Sequence, residues 1–278
     1  MHDDYDRSSK WLLQHHGGSI LSLGGIRGVR SWRSLQADIV QPRRLPDGLL
    51  EVFLGDQTDP DLFIIEIATY PEQRVLQQVL RDSMLVFLDR GKLPEVLTLV
   101  LQPRGKFRIN GKVKLQSRLQ LSQWVAQWRV VELWTLPAEV LLAQNDLGLI
   151  PWVPLTQFES PPEVVLQQCR QRIEQNATAD ERANLLAVTQ VLTRLRYNDP
   201  QLQTILGGIQ IMIESPLIQE IVARTKHEMI LQFLEGRFGT VPADVAMRVR
   251  SISEEEKLRE LTRYAARCPD LEAFQAEL

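Results

Sequence analysis

At 278 residues, 44% hydrophobic and 24% charged, the chain has the balance of a globular protein, long enough for two compact regions and a sizeable core. A formal net charge of −3 excludes a protein that coats nucleic acid through its overall charge, and no apolar run reaches the length that spans a bilayer. The acidic opening MHDDYD lacks the apolar stretch of a secretion signal, and the two cysteines, Cys169 and Cys268, lie far apart. A reduced, cytoplasmic setting without membrane contact is the expectation.

Residues 7–16 (RSSKWLLQHH) predict a short helix closed by Gly17-Gly18, and Gly24, Gly25 and Gly28 predict a turn after it. A strand is expected over 35–41 (LQADIVQ), a turn at Pro46-Asp47-Gly48, and a second strand over 49–54. The third strand falls within DLFIIEIATY, residues 61–70. Joins this tight make an antiparallel meander. Residues 62–67 are apolar and β-branched apart from one charge, Glu66. A strand apolar on both faces belongs in the middle of a covered sheet, and a carboxylate there calls for a cation or hydrogen-bond donors. A metal ion, a lysine, or an arginine such as Arg74 would answer it. Because strand side chains alternate, Glu66 shares its face with Ile64 and Ala68.

Thr69 and Glu72 have the spacing of a capping box, with Pro71 tolerated in the first turn. The helix they announce carries Val75, Leu76, Val79, Leu80, Met84 and Phe87 at the period of one buried face, and Gly91 ends it. A buried strand over 94–101 completes a strand–helix–strand unit. A hairpin is expected around Asn110-Gly111, with a three-residue loop that sets Arg108 against Lys112 and Lys106 against Lys114. No Asp or Glu occurs between Val96 and Val131. Arg104, Lys106, Arg108, Lys112 and Lys114 are therefore the candidates for meeting a polyanion such as DNA. A strand over 128–136, a helix over 137–144 and a proline-punctuated connector over 150–155 follow, and Trp124, Trp128, Trp134 and Trp152 are expected in the core.

From Ser160 the pattern turns helical. Ser160/Glu163, Thr178/Glu181 and Ser253/Glu256 have capping-box spacing, and Ser215-Pro216 marks another helix start. Leu185, Leu186, Thr189, Leu192 and Leu195 form one stripe, and Ile218, Ile221, Met229 and Phe233 another. The division expected is an α/β domain over 1–159 and a helical region over 160–278, the latter a candidate for self-association into a homo-oligomer.

Asp38 inside the first expected strand and Glu66 inside the third are the candidate ligands for one hard cation, if the meander brings the two strands close together. Mg²⁺ takes one or two carboxylates with waters and substrate phosphate. An acidic strand, a second strand with an acid, then helix and strand resembles the PD-(D/E)XK nuclease superfamily. The order HDDYDRSSKWLL, LQADIV, FIIEIATYPEQR more closely resembles the recombination-promoting, transposase-like nucleases of bacteria, over residues 1–155 and again at ESPLIQEI. The resemblance implies a restriction-endonuclease-like mixed sheet with flanking helices and Mg²⁺-dependent DNA cleavage. Asp38 and Glu66 would hold the metal, and Arg74 would assist. The family carries Lys or Gln two residues after the Glu, where this chain has Ala68. Gln73, Arg74, Gln78 or Lys10 would have to substitute. Without a substitute, the same fold would serve as a non-catalytic module for binding nucleic acid or protein.

Overall fold

The computed structural model describes residues 2–35, 46–117 and 122–278. The first helix, α1 (His2–Leu23), is longer than the sequence suggests and kinks at His16, whose backbone leaves the helical region with φ −131° and ψ 36°. The kink coincides with the expected helix end. The chain continues because Gly17 lies flat against the Trp32 ring, and a β-carbon at Gly17 would come within 2.8 Å of it.

Strand β1 is Val29–Leu35, upstream of the expected 35–41. Its sequence, VRSWRSL, is mostly polar because it forms the sheet edge, so apolar alternation could not reveal it. Residues 36–41 of the expected strand lie outside the described residues, and Asp38 with them. Strands β2 (Gly48–Leu54) and β3 (Asp61–Ala68) fall where the pattern puts them. β1, β2 and β3 pair antiparallel in sequence, with Arg33 bonded across to Glu51.

Helix α2 (Gln73–Arg90) starts with Glu72 at its N-cap and no side-chain capping bond, so the Thr69/Glu72 box is not formed. Its buried face is Val75, Val79, Asp82 and Val86. Phe87, expected inside, is 40% exposed. Strand β4 (Glu95–Val100) returns parallel to β3.

Residues 104–111 form no arm of a hairpin. Strand β5 (Lys112–Gln116) pairs instead with β6 (Gln123–Gln127) as a separate two-stranded ribbon. The expected pairing would have opposed lysine to arginine. The observed one sets Lys112 against Gln127 and Lys114 against Val125, and no like charges meet. Strand β7 (Arg129–Glu132) joins β4 in parallel, giving a five-stranded mixed sheet of order β1-β2-β3-β4-β7. It is shorter than the expected 128–136, because residues 133–135 turn into a 3₁₀ helix.

Helix α2 covers one face of the sheet, with Leu62, Ile64, Val86 and Leu49 in one cluster and Ala68, Val75, Val79 and Val100 in the next. α1 packs on β1 and β2. After α3 (Ala138–Leu142), the stretch Leu147–Leu155 is far more than a connector. It is a 3₁₀ helix buried from Gly148 to Leu155, Trp152 included, that accommodates Pro151 and Pro154. Helices α4 (Pro162–Asn176) and α5 (Ala179–Arg196) pack on this segment, and α6 (Pro200–Ile205) packs on both. α5 is capped by Thr178 as expected, whereas Ser160 does not cap α4.

The chain divides into two compact units, Met1–Gly208 and Ile209–Leu278, so the boundary falls after α6 rather than at 159. The second unit holds most of α7 (Gly208–Glu214), then α8 (Pro216–Phe238), α9 (Ala243–Arg250), α10 (Glu255–Ala265) and α11 (Leu271–Ala276). Ser215 caps α8, but Ser253 does not cap α10. α8 buries Leu217, His227, Ile230, Leu231 and Leu234. Of the expected stripe, Met229 and Phe233 are about two-fifths exposed, at 42% and 40%. The core proper is built by Ile230, Leu234, Val245, Val249, Leu258 and Phe274. His227 Nε2 lies 2.8 Å from the Ile252 carbonyl oxygen, which ties α8 to the α9–α10 connection. Across the described residues no helix is long and apolar enough to cross a membrane.

Candidate functional site

Glu66 is where its strand predicts. It is 4% exposed, on the α2-facing side of β3 with Ile64 and Ala68, and its neighbour across the parallel ladder is Thr98. The partner that the sequence reading overlooked is Asp47. Gly48 pairs with Ile65, and the antiparallel register carried one residue further sets Asp47 opposite Glu66. Asp47 Oδ2 accepts a hydrogen bond from the Ile67 amide at 2.8 Å, which fixes the carboxylate beside the strand that bears Glu66. The Pro46-Asp47-Gly48 sequence reads as a turn, and Gly48 already belongs to β2. The missing signal was the register: counting back from the β2–β3 loop places residue 47 across from 66.

Lys10 of α1 pairs with Asp47, its Nζ 3.5 Å from Oδ1. The Asp47 side chain is 10% exposed and that of Lys10 39%. Gly48 makes this approach possible. A β-carbon there would overlap the isobutyl group of Leu13, one helical turn beyond Lys10. A glycine next to Asp47 therefore lets α1 settle close enough for Lys10 to reach the carboxylate.

Asp47, Glu66 and Ala68 open onto one cleft of about 260 Å³, which Tyr5, Ser9, Thr69, Arg74 and Gln78 also line. The step from β3 to α2 closes its floor. The amides of Leu101 and Gln102 donate to the carbonyls of Ala68 and Thr69, extending the parallel ladder past the strand ends. Arg74 reaches the cleft, but it pairs with Glu72 at 2.5 Å, and its side chain is 65% exposed. Of the substitutes for the residue missing at Ala68, Arg74 and Gln78 line the cleft and Lys10 pairs with Asp47, whereas Gln73 is not among the lining residues. Asp38 lies outside the described residues.

One turn further along α2, Asp82 is a buried acid, 1% exposed, at a position outside the expected apolar face. Burial pushes its carboxyl above the usual carboxylate range, and the bond from Arg81 Nε at 2.8 Å pulls it part of the way back. A second recess, of about 900 Å³, is lined by the α1 kink, the α1–β1 loop and α3. Its carboxylate, Asp146, accepts hydrogen bonds from the Ser19 hydroxyl and the Gly148 amide.

The basic candidates separate. Arg104 stacks over the Tyr70 ring, 4.6 Å from its centroid, beside the cleft residue Thr69. Lys106 and Arg108 belong to the irregular stretch before Gly111, and Lys112 and Lys114 stand on β5.

Oxygen donors dominate the cleft: two carboxylates from adjacent strands with the hydroxyls of Ser9 and Thr69 near them. Such a set suits a hard cation of the Mg²⁺ kind and is poor for zinc. Among the described residues, no three His, Cys, Asp or Glu side chains gather as a metal-holding group. Two carboxylates are the number that Mg²⁺ ordinarily takes from a protein. No family model matches the chain, and no curated protein or solved structure matches it either. What the fold itself defines is an α/β protein, a five-stranded mixed sheet with many helices.

Proposed function

We propose that the cleft is the active site of a Mg²⁺-dependent phosphodiester hydrolase acting on DNA, with Asp47 and Glu66 as the metal-holding carboxylates and Lys10 in the role left vacant by Ala68. The single observation that carries this reading is the convergence of Asp47 and Glu66 on one polar cleft, with an α1 ammonium 3.5 Å from the former. A bound Mg²⁺ would supply polarisation of a phosphoryl oxygen and a water acidified toward hydroxide. The chain's own groups do the rest. The Ile67 amide holds Asp47 in one orientation. Lys10, a compact charge on a flexible stem, offsets the carboxylates and meets the negative charge of a phosphodiester. Arg74, largely exposed at the rim, offers a second donor to phosphate oxygens.

Plasmid cleavage with Mg²⁺ or Mn²⁺ tests the reading. Asp47→Asn and Glu66→Gln should each lower the rate by at least about a hundredfold, the scale seen when one strong transition-state contact is removed. Lys10→Met should lower it by about tenfold or more. Equal cleavage by the native chain and Glu66→Gln would sink the proposal. A non-catalytic reading is favoured by Ala68 at the position where the resembling family carries lysine or glutamine, and the proximity of Lys10 to Asp47 supports the hydrolase reading over it.

A further inference from the structure

We propose that the β5–β6 ribbon is a DNA-reading element whose lysine- and glutamine-bearing face enters the major groove of a duplex. The proposal rests on the hydrolase reading for its choice of nucleic acid, but it concerns a different part of the molecule. Directly opposed residues of an antiparallel pair share a face. One face of the ribbon therefore carries Lys112, Lys114 and Gln116 opposite Gln127, Val125 and Gln123. All six are exposed. Lysine suits the acceptor edge of guanine, glutamine the adenine edge, and an aliphatic group the thymine methyl. A two-stranded ribbon is a body that the major groove admits, and five residues per strand make it about 17 Å long.

Charge selects DNA over a protein partner. No acidic residue occurs between Val96 and Val131, so neither strand of the ribbon carries a charge that repels phosphate, and Glu132 is the acid that lies with Arg108 and Asn110 in the recess before β5. The opposite face sets Leu115 directly across from Trp124, 49% and 52% exposed, while Val113 and Ala126 are half-buried toward the base. The base is anchored twice. The Trp128 amide donates to the Gly111 carbonyl at 2.8 Å, and Trp128 Nε1 donates to Thr98 Oγ1 at 3.1 Å. Thr98 is the ladder neighbour of Glu66. The ribbon is thus rooted in the residue row that holds the carboxylate, which would keep a gripped duplex near the cleft.

The test is fluorescence anisotropy of the full-length chain with a labelled 30-base-pair duplex and the corresponding single strand, in EDTA and over a salt series. The native chain should prefer the duplex. Lys112→Gln combined with Lys114→Gln should weaken duplex binding by about tenfold or more and lower the salt slope by about two, the loss of two cations from the DNA interface. Gln116→Ala with Gln123→Ala should narrow the spread of affinities between duplexes of different sequence. Circular dichroism establishes that each variant is folded. Unchanged duplex affinity and salt slope in the double-lysine variant would overturn the proposal. Cleavage is scored separately. Lysine-dependent binding without Glu66-dependent cleavage keeps the ribbon and removes the hydrolase, and Glu66-dependent cleavage with lysine-independent binding does the reverse.

Discussion

The five-stranded sheet and the β5–β6 ribbon are both β-structure, yet they are stabilised in opposite ways. In β3, six of the eight residues are buried, and each row of side chains is sealed by α2 or by the helices on the other face. In the ribbon no residue is fully buried, and Trp124 is 52% exposed. A slip of one residue in β3 would turn Glu66 and its apolar neighbours to the wrong face, so its register is held by the whole core. The ribbon keeps its register through one cross-strand pair and the Trp128 anchors. A carboxylate needs the first kind of setting to be held at one place in low dielectric, and groove-reading side chains need the second kind to stay solvated and reachable.

That contrast can be broken at its strongest point first. Leu99→Ala, at a fully buried position of β4, should cost about 2–5 kcal/mol in urea unfolding. A loss below about 1 kcal/mol would mean that the sheet is not the dense core described above. Gly48→Val should cost about 1–3 kcal/mol by pushing Leu13 and α1 outward. It should also depress cleavage through Lys10 beyond what lost stability explains, read as activity of the folded fraction.

Asp82→Asn should act in the stabilising direction and in a defined pH window. The native state holds the Asp82 proton after the unfolded chain has released it, so the native protein binds more protons there and loses stability as pH rises. The loss begins near the ordinary carboxylate value of about 3.9 and levels off above the raised native one. Unfolding of the native chain and of Asp82→Asn, compared from acid to neutral pH, should show the native chain falling behind across that interval and a constant gap beyond it. A gap that narrows as pH rises would contradict the desolvation argument. The smallest effect belongs to the ribbon. Trp124→Ala should change global stability by only about 0.2–1 kcal/mol, and a larger loss would mean that the ribbon is part of the core.

Much of this architecture was legible in the residues. β3 and the face of Glu66 followed from a β-branched run and alternation, and α2, the α5 cap at Thr178 and the α8 cap at Ser215 followed from period and spacing. β1 was misplaced because an edge strand is not obliged to be apolar, and VRSWRSL gives no alternation to read. The 104–118 hairpin was misread because Asn110-Gly111 is a strong local turn signal. The partner that β5 adopts lies beyond it, where opposed lysines and arginines are avoided. The 147–155 segment passed for a connector because two prolines forbid a long α-helix, although its apolar content already suited burial in a 3₁₀ turn.

By itself, the order of amino acids determined that Glu66 would be buried in a central strand and would need company, since alternation and hydrophobicity are local properties. Which groups provide that company was decided only by tertiary structure. Asp47 comes opposite Glu66 through the register of two strands, and Lys10 reaches Asp47 through a helix that a glycine allows to approach. Both depend on distances across the fold, between groups 19 and 37 residues apart in sequence, and no local pattern encodes them.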